Sequence, residues 1–260
     1  MKKDYWKDRE AKAQDKISSA KAKEIKEQLI KYYQTAMDKV IESFELTYLK
    51  IQKDSEERGH ITPADLYKLD QYWKMQAQLK KELQKLGDKQ VELFSQAFID
   101  DFMEVYSSIA LNSNTSFSSI STEAAKQMVN QVWAVDGKSW SQRVWNNTER
   151  LADTLNEELI NCVLTGAKAS ELKKILQERF SVSYNRADTL VRTELAHIQT
   201  QAARKRYQDA GVKMVQVWAD PDERRCPKCA AIHKKIYPVN AVMPVPLHPR
   251  CRCVMLPVIE

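Results

Sequence analysis

Glycine and proline are scarce in this chain. Its 260 residues include 5 glycines and 8 prolines, and every proline except Pro63 falls after position 220. So few breakers over the first two hundred residues disfavour a sandwich or barrel, which needs frequent turns, and favour long helices. Long apolar runs are also lacking. No stretch approaches the eighteen residues a membrane helix needs, and the basic start, Met1 to Glu10, has no apolar segment behind it. No membrane partner and no secretory signal are therefore expected, and the protein reads as soluble and made in a reducing cytoplasm. Phosphate-binding glycine loops, nucleophile elbows and the kinase motif set are missing too, so no enzymatic activity is expected.

Hydrophobic residues make up 43% and charged residues 29%, enough apolar material for a real core. The length fits one large domain or two ordinary ones. Leu29, Tyr33, Ala36, Val40, Phe44, Tyr48 and Ile51 recur at steps of three and four, one stripe of an amphipathic helix beginning near Lys16 and broken at Gly59. Thr62-Pro63 reads as an N-cap and first helical position for a second helix, running to Leu86 before Gly87. A third covers Asp88 to Ala110, with Val91, Phe94, Phe98, Phe102 and Val105 on its apolar face. The polar stretch Leu111 to Ser121 reads as a hinge or exposed loop. Further helical segments follow at Thr122–Ala134, Ser139–Thr165, Lys168–Phe180 and Tyr184–Ala210, with Gly166 and Gly211 as C-terminal caps. The expected organisation is an N-terminal helical domain over residues 1–121 and a second domain over residues 122–260.

Beyond Gly211 the pattern changes. Lys213–Ala219, Lys235–Val239 and Arg252–Ile259 are short β-rich candidates surrounding the cysteines. The expected fold class is mainly α: a multi-helical body with a small C-terminal α+β module of short strands, about residues 213–260, around a Cys/His cluster. Four of the five cysteines lie in Cys226-Pro-Lys-Cys229 and Cys251-Arg-Cys253, and His248 precedes Cys251 by three residues. A two-residue gap in a tight turn lets both thiolates face one tetrahedral ion, and the second pair returns after a loop of zinc-site length. Five candidate ligands thus compete for four positions of a structural zinc ion: Cys226, Cys229, His248, Cys251 and Cys253. If Cys251 and Cys253 lie on one side of an extended strand, both face the ion; if the strand begins later, His248 and Cys251 ligate together. The alternatives are a disulfide pair, which a reducing compartment disfavours, and free thiols used as small core residues. Cys162, alone in a helical pattern, reads as core.

The net charge of +6 is not spread evenly. From Gln199 onward eleven Lys/Arg stand against five Asp/Glu, and the rest of the chain is balanced. Arg204-Lys205-Arg206 and Arg224-Arg225 are the local clusters. Such a face contacts DNA phosphates without sequence preference or an acidic partner surface, unless it is merely solvated.

The order of features from Thr122 onward carries a resemblance. Trp133, Asp136-Gly137, Trp140 and Arg143 come first, then Val191-Arg192-Thr193-Glu194, Gly211, Trp218 and Asp220. Cys226-x-x-Cys229 follows, and Leu247-His248-Pro249-Arg250-Cys251-Arg252-Cys253 and Pro257 close the chain. This resembles the phage Mu protein F-like family of head-morphogenesis (minor head) proteins, over roughly the last 140 residues. One departure is Ile232-His233-Lys234, where the resemblance implies a glycine in a Leu-x-Gly-Lys turn. The resemblance implies a virion protein in few copies, inside the capsid and made in the host cytoplasm. Its implied partners are the portal protein and the scaffold or major capsid protein. Some relatives carry C-terminal toxin domains, and none is expected after Glu260.

Two alternatives remain open at this point, a zinc-dependent DNA-binding protein of another pathway and a zinc-supported endonuclease. The second would need more histidines than His233 and His248 supply nearby. Arg192 and Glu194, two apart on a helix, diverge and read as structural rather than as an acid/base pair, whereas Glu194 and His197 share a face. Trp133, Trp140, Trp145 and Trp218 read as packing residues before stacking platforms for bases.

Overall fold

The computed structural model describes residues 5–58, 66–109, 119–219, 225–241 and 245–258. Among these are six helices: α1 (Tyr5–Arg58), α2 (Asp70–Ser108), α3 (Thr122–Val129), α4 (Trp140–Thr165), α5 (Ala169–Asp209) and α6 (Pro227–Ile232). Three short strands follow α5: β1 (Met214–Trp218), β2 (Ile236–Pro238) and β3 (Val254–Pro257). The fold is thus mainly α, with a small α+β module at its C-terminal end, as the breaker distribution implies. The chain divides into two compact units, and α1, α2 and α5 each contribute a part to both.

One unit is all helical, formed by Glu27–Glu92 and Ser141–Asp188. All seven residues of the Leu29-to-Ile51 stripe are buried in it. Two tyrosines of that stripe satisfy their hydroxyls across the core. Tyr33 lies 3.2 Å from the Ser183 hydroxyl and accepts from the Asn147 amide at 3.1 Å, and burial pushes its pKa up to about 12. Tyr48 donates to the carbonyls at the end of α4, Cys162 at 2.9 Å and Ala167 at 2.5 Å. Cys162 is buried core, as its helical context indicates.

Several helix boundaries differ from the sequence expectation. Gly87 does not end a helix; α2 runs through it. A Cβ at this position would collide with the six-membered ring of Trp145, so the glycine serves a close approach between α2 and α4. The break expected near Phe180 is likewise absent, because Ser181-Val182-Ser183 contains no breaker and Ser183 is buried in contact with Tyr33. Helix α1 starts at Tyr5, before Lys16, and α3 ends at Val129, before Ala134. The Thr62-Pro63 cap and most of the Leu111–Ser121 loop lie outside the described residues. Gly166 and Gly211 do cap α4 and α5, both at positive φ (63° and 75°). In each case the next residue's N–H bonds back five positions, Ala167 to Cys162 and Val212 to Tyr207.

The other unit comprises Met1–Lys26, Leu93–Trp140 and Thr189–Glu260. Phe94, Phe98, Phe102 and Val105 of α2 are buried in it, and the Phe98 ring meets Trp140 edge-on at 5.5 Å. Its sheet is antiparallel with order β2-β1-β3, Val215 standing opposite both Tyr237 and Pro257. Trp218, Val254 and Leu256 form a small apolar cluster against Ala11 of α1. Helix α1 begins early because its first turns are anchored here by polar contacts. The Trp218 indole N–H donates to Asp8 at 3.1 Å and Lys7 donates to Gln216 at 2.6 Å. Helix α5 is tied to the sheet by Tyr207, fully buried, whose hydroxyl donates to the Met255 carbonyl at 3.0 Å.

Candidate metal centre

Cys226 is the N-cap of α6, Pro227 opens the helix and Cys229 sits three residues on, at N3. The Cys229 N–H therefore donates to the Cys226 sulfur at 3.4 Å, which holds the Cys226 thiol below its usual pKa. This Cys-Pro-Lys-Cys turn aims both sulfurs at the segment leading into β3. His248 Nε2 lies 3.3 Å from Cys226 Sγ and 3.2 Å from Cys229 Sγ, and Cys251 Sγ lies 3.8 Å from Cys229 Sγ. Two ligand groups result, Cys226-Cys229-His248 and Cys229-Cys251-Cys253, sharing Cys229. All five residues expected from sequence are thus brought together.

The sulfur–sulfur spacing matches a tetrahedral ion and the two sulfur–nitrogen spacings are a few tenths of an ångström shorter. With zinc–sulfur bonds of about 2.3 Å and zinc–nitrogen bonds of about 2.0 Å, ligand atoms should lie about 3.5–3.8 Å apart. A disulfide does not fit: all five cysteines are unbonded, and 3.8 Å between the Cys229 and Cys251 sulfurs is far beyond an S–S bond of about 2.05 Å. The cluster can hold a metal ion. Its electrostatics are polarised. The hydrogen bond between Cys253 and Cys251 pushes the Cys251 thiol down and, together with burial, the Cys253 thiol up. Burial pushes Cys229 up to about 12. His248 Nδ1 lies 2.8 Å from the Pro249 carbonyl, the contact that raises its pKa. With Nδ1–H donating there, the Nε2 lone pair is left for an ion.

Strand β3 begins at Val254, two residues later than the Arg252 expected, because the preceding residues turn to bring His248 and Cys251 inward. Arg250 sits at positive φ (60°), and its N–H donates to the Thr193 hydroxyl of α5 at 3.1 Å. Its guanidinium Nε reaches Thr189, also on α5, at 3.1 Å. Thr193 belongs to the Arg192-Thr193-Glu194 triplet, whereas Thr189, four residues earlier on the same helix face, carries no motif signal. Glu194 is buried and accepts from the Trp133 indole at 2.9 Å, and Trp133 stacks on His197 at 4.2 Å. Trp133 thus spans the face that Glu194 and His197 share.

At Ile232-His233-Lys234, lysine stands in a left-handed conformation where the resemblance implies glycine. Lys234 has φ +64°, its N–H bonds the Val217 carbonyl at 2.8 Å, and its ammonium lies 5.2 Å from the Trp218 ring centre. Of the basic residues singled out, Arg204 donates to the carbonyls of Val239 and Asn240, and Lys205 pairs with Asp209 at 2.5 Å. Arg206 is buried, donating to the Ile109 carbonyl at 3.2 Å. Arg225 is exposed, and Arg224 lies outside the described residues.

Fold and site together define a mainly helical protein whose C-terminal sheet module carries a Cys/His cluster able to hold a metal ion. Residues 153–256 match the family model described as Phage Mu protein F like protein, so this region of the chain is similar to that family. No curated protein and no solved structure matches the chain. The matched residues begin after Trp133, Trp140 and Arg143 of the motif order and include every residue of the Cys/His cluster. None of the described helices is long and apolar enough to cross a membrane.

Proposed function

We propose that this chain is a phage minor head protein, a structural and assembly component rather than an enzyme. It is present in few copies inside the capsid and is associated with the portal, with scaffold or major capsid protein as further partners. The observation that carries this reading is the family match over the region holding the Cys/His cluster. Co-expression with portal and scaffold should yield procapsids containing the protein at sub-stoichiometric amounts. Consistent absence from such particles would overturn the assignment.

Within that role the cluster holds one structural zinc ion. The contacts of His248 Nε2 with Cys226 and Cys229, and of Cys229 with Cys251, support Cys226 and Cys229 as ligands together with two of His248, Cys251 and Cys253. Elemental analysis of the purified protein should give one zinc per chain, lost on Cys229→Ser. A folded C-terminal module that is metal-free under reducing conditions would refute the site. The charge excess after Gln199 supports weak, sequence-independent DNA contact, with Arg225 the exposed member of the Arg204–Arg206 and Arg224-Arg225 clusters among the described residues. Binding should weaken steeply with salt; a flat salt profile would reassign this face to protein docking.

A further inference from the structure

A cleft of about 470 Å³ opens in the sheet-bearing unit beside the cluster, between the start of α1, the middle of α5 and the segment entering β3. Its lining includes Arg192, Arg250 and Arg252 against a single carboxylate, Asp15, with the hydroxyls of Ser18 and Ser19 on the α1 wall. The Arg-Cys-Arg-Cys alternation explains part of this. Through this turn burial alternates along the chain: both cysteines are buried and both arginines are exposed. Arg250 is fixed on α5 through Thr189 and Thr193, and Arg192 projects from the same helix. All three arginines also take part in other interactions of the fold. With five N–H donors each, arginines can serve fold and ligand together.

We propose that this cleft binds a phosphate group through Arg192, Arg250 and Arg252. Guanidinium forks match the paired oxygens of phosphate, and a concave wall of one sign concentrates anions. The volume exceeds what a bare phosphate fills and suits a nucleotide-sized unit, either a free phosphate ester or one residue of a nucleic-acid strand. The inference does not rest on the head-protein reading, and its arginines are distinct from the Arg204–Arg206 and Arg224-Arg225 clusters. A zinc–thiolate centre beside the cleft would draw on part of this positive charge, so the test includes a change on the opposite wall.

The full-length, zinc-loaded protein is titrated at low, constant ionic strength with inorganic phosphate by calorimetry. In parallel, a labelled ten-nucleotide thymidylate strand is titrated by fluorescence anisotropy. Arg192→Gln and Ser18→Asp should each weaken binding by about tenfold or more, as loss of a charge-assisted contact or an added like charge requires. Lys31→Gln, an exposed change in the other unit and outside both the cleft and the basic clusters, should leave binding unchanged. Zinc content and circular dichroism certify that each variant is folded, and Ser18→Asp leaves the arginines intact should Arg192→Gln misfold. Phosphate binding without strand binding identifies a small phosphate ester as ligand; strand binding sensitive to both variants identifies the nucleic-acid backbone. Failure of both probes to bind, or binding indifferent to both variants, overturns the proposal.

Discussion

Two buried groups of the sheet-bearing unit titrate in opposite directions over one pH window, and single substitutions should unmask each. Asp101 is fully buried, with one oxygen accepting from the Gln199 amide at 3.1 Å and the other without a hydrogen-bond partner. Burial raises its pKa from 3.8 to about 7. His197, buried under Trp133, falls from 6.5 to about 4 for the same reason. Between about pH 4 and 7 folded Asp101 keeps a proton that the unfolded chain has released, so its contribution falls as pH rises. Over nearly the same range unfolded His197 binds a proton that the folded state refuses, so its contribution rises with pH. Each slope is about 1.4 kcal/mol per pH unit. From pH 4.5 to 6.5 each therefore amounts to about 2–3 kcal/mol, and in the wild type they largely cancel. Asp101→Asn should make stability rise with pH by about that amount relative to wild type, and His197→Phe, which keeps the stack, should make it fall. Urea unfolding followed by circular dichroism at pH 4.5, 5.5 and 6.5 measures both. Two variants with pH profiles parallel to wild type would refute the reasoning.

Three further outcomes are expected. Gly87→Ala should destabilise by about 1 kcal/mol, because overpacking against Trp145 outweighs a helix-propensity gain of about 1 kcal/mol. In a Trp145→Ala background the same change should stabilise, a sign reversal that thermal melts of the four-protein cycle will show or deny. Lys234→Gly should raise the melting temperature of the sheet module slightly, by relieving a left-handed conformation that costs about 1 kcal/mol; a lowered melting temperature would mean that the ammonium over Trp218 matters more. Thr193→Val, nearly isosteric, removes the acceptor for the Arg250 N–H and should cost about 1–2 kcal/mol, read in the same melt, whereas an unchanged transition would show that the loop is held by other contacts.

What was legible in the sequence was local. The seven-residue stripe of α1 could be read because helical periodicity needs only neighbouring positions, and every one of its residues is buried. The cysteine cluster could be read because a Cys-x-x-Cys turn is set within four residues, and its partner pair follows after a single loop. Features decided by distant contacts could not be read. Gly87 looks like a breaker until Trp145, fifty-eight positions on, is seen to occupy the space of its missing side chain. Arg206 looks like surface charge until its guanidinium is found buried against the Ile109 carbonyl, 97 positions away. Where β3 begins, which decides how His248, Cys251 and Cys253 are presented, is a boundary of two residues that periodicity does not resolve.

The short strands explain why such distant contacts gather around the cluster. A sheet of five, three and four residues with a three-residue apolar cluster buries too little surface to stand by itself. It is held instead by attachments to the helices: Tyr207 on the Met255 carbonyl, Asp8 on Trp218, and Thr193 on the backbone of Arg250. The Arg192-Thr193-Glu194 triplet and the His248-to-Cys253 segment, over fifty residues apart in sequence, are therefore two sides of one joint. Their spacing along the chain is the length needed to leave α5, form β1, turn through α6 and β2, and return. A change in the triplet should thus act on the cysteine loop through the Thr193 hydroxyl, without touching any sulfur.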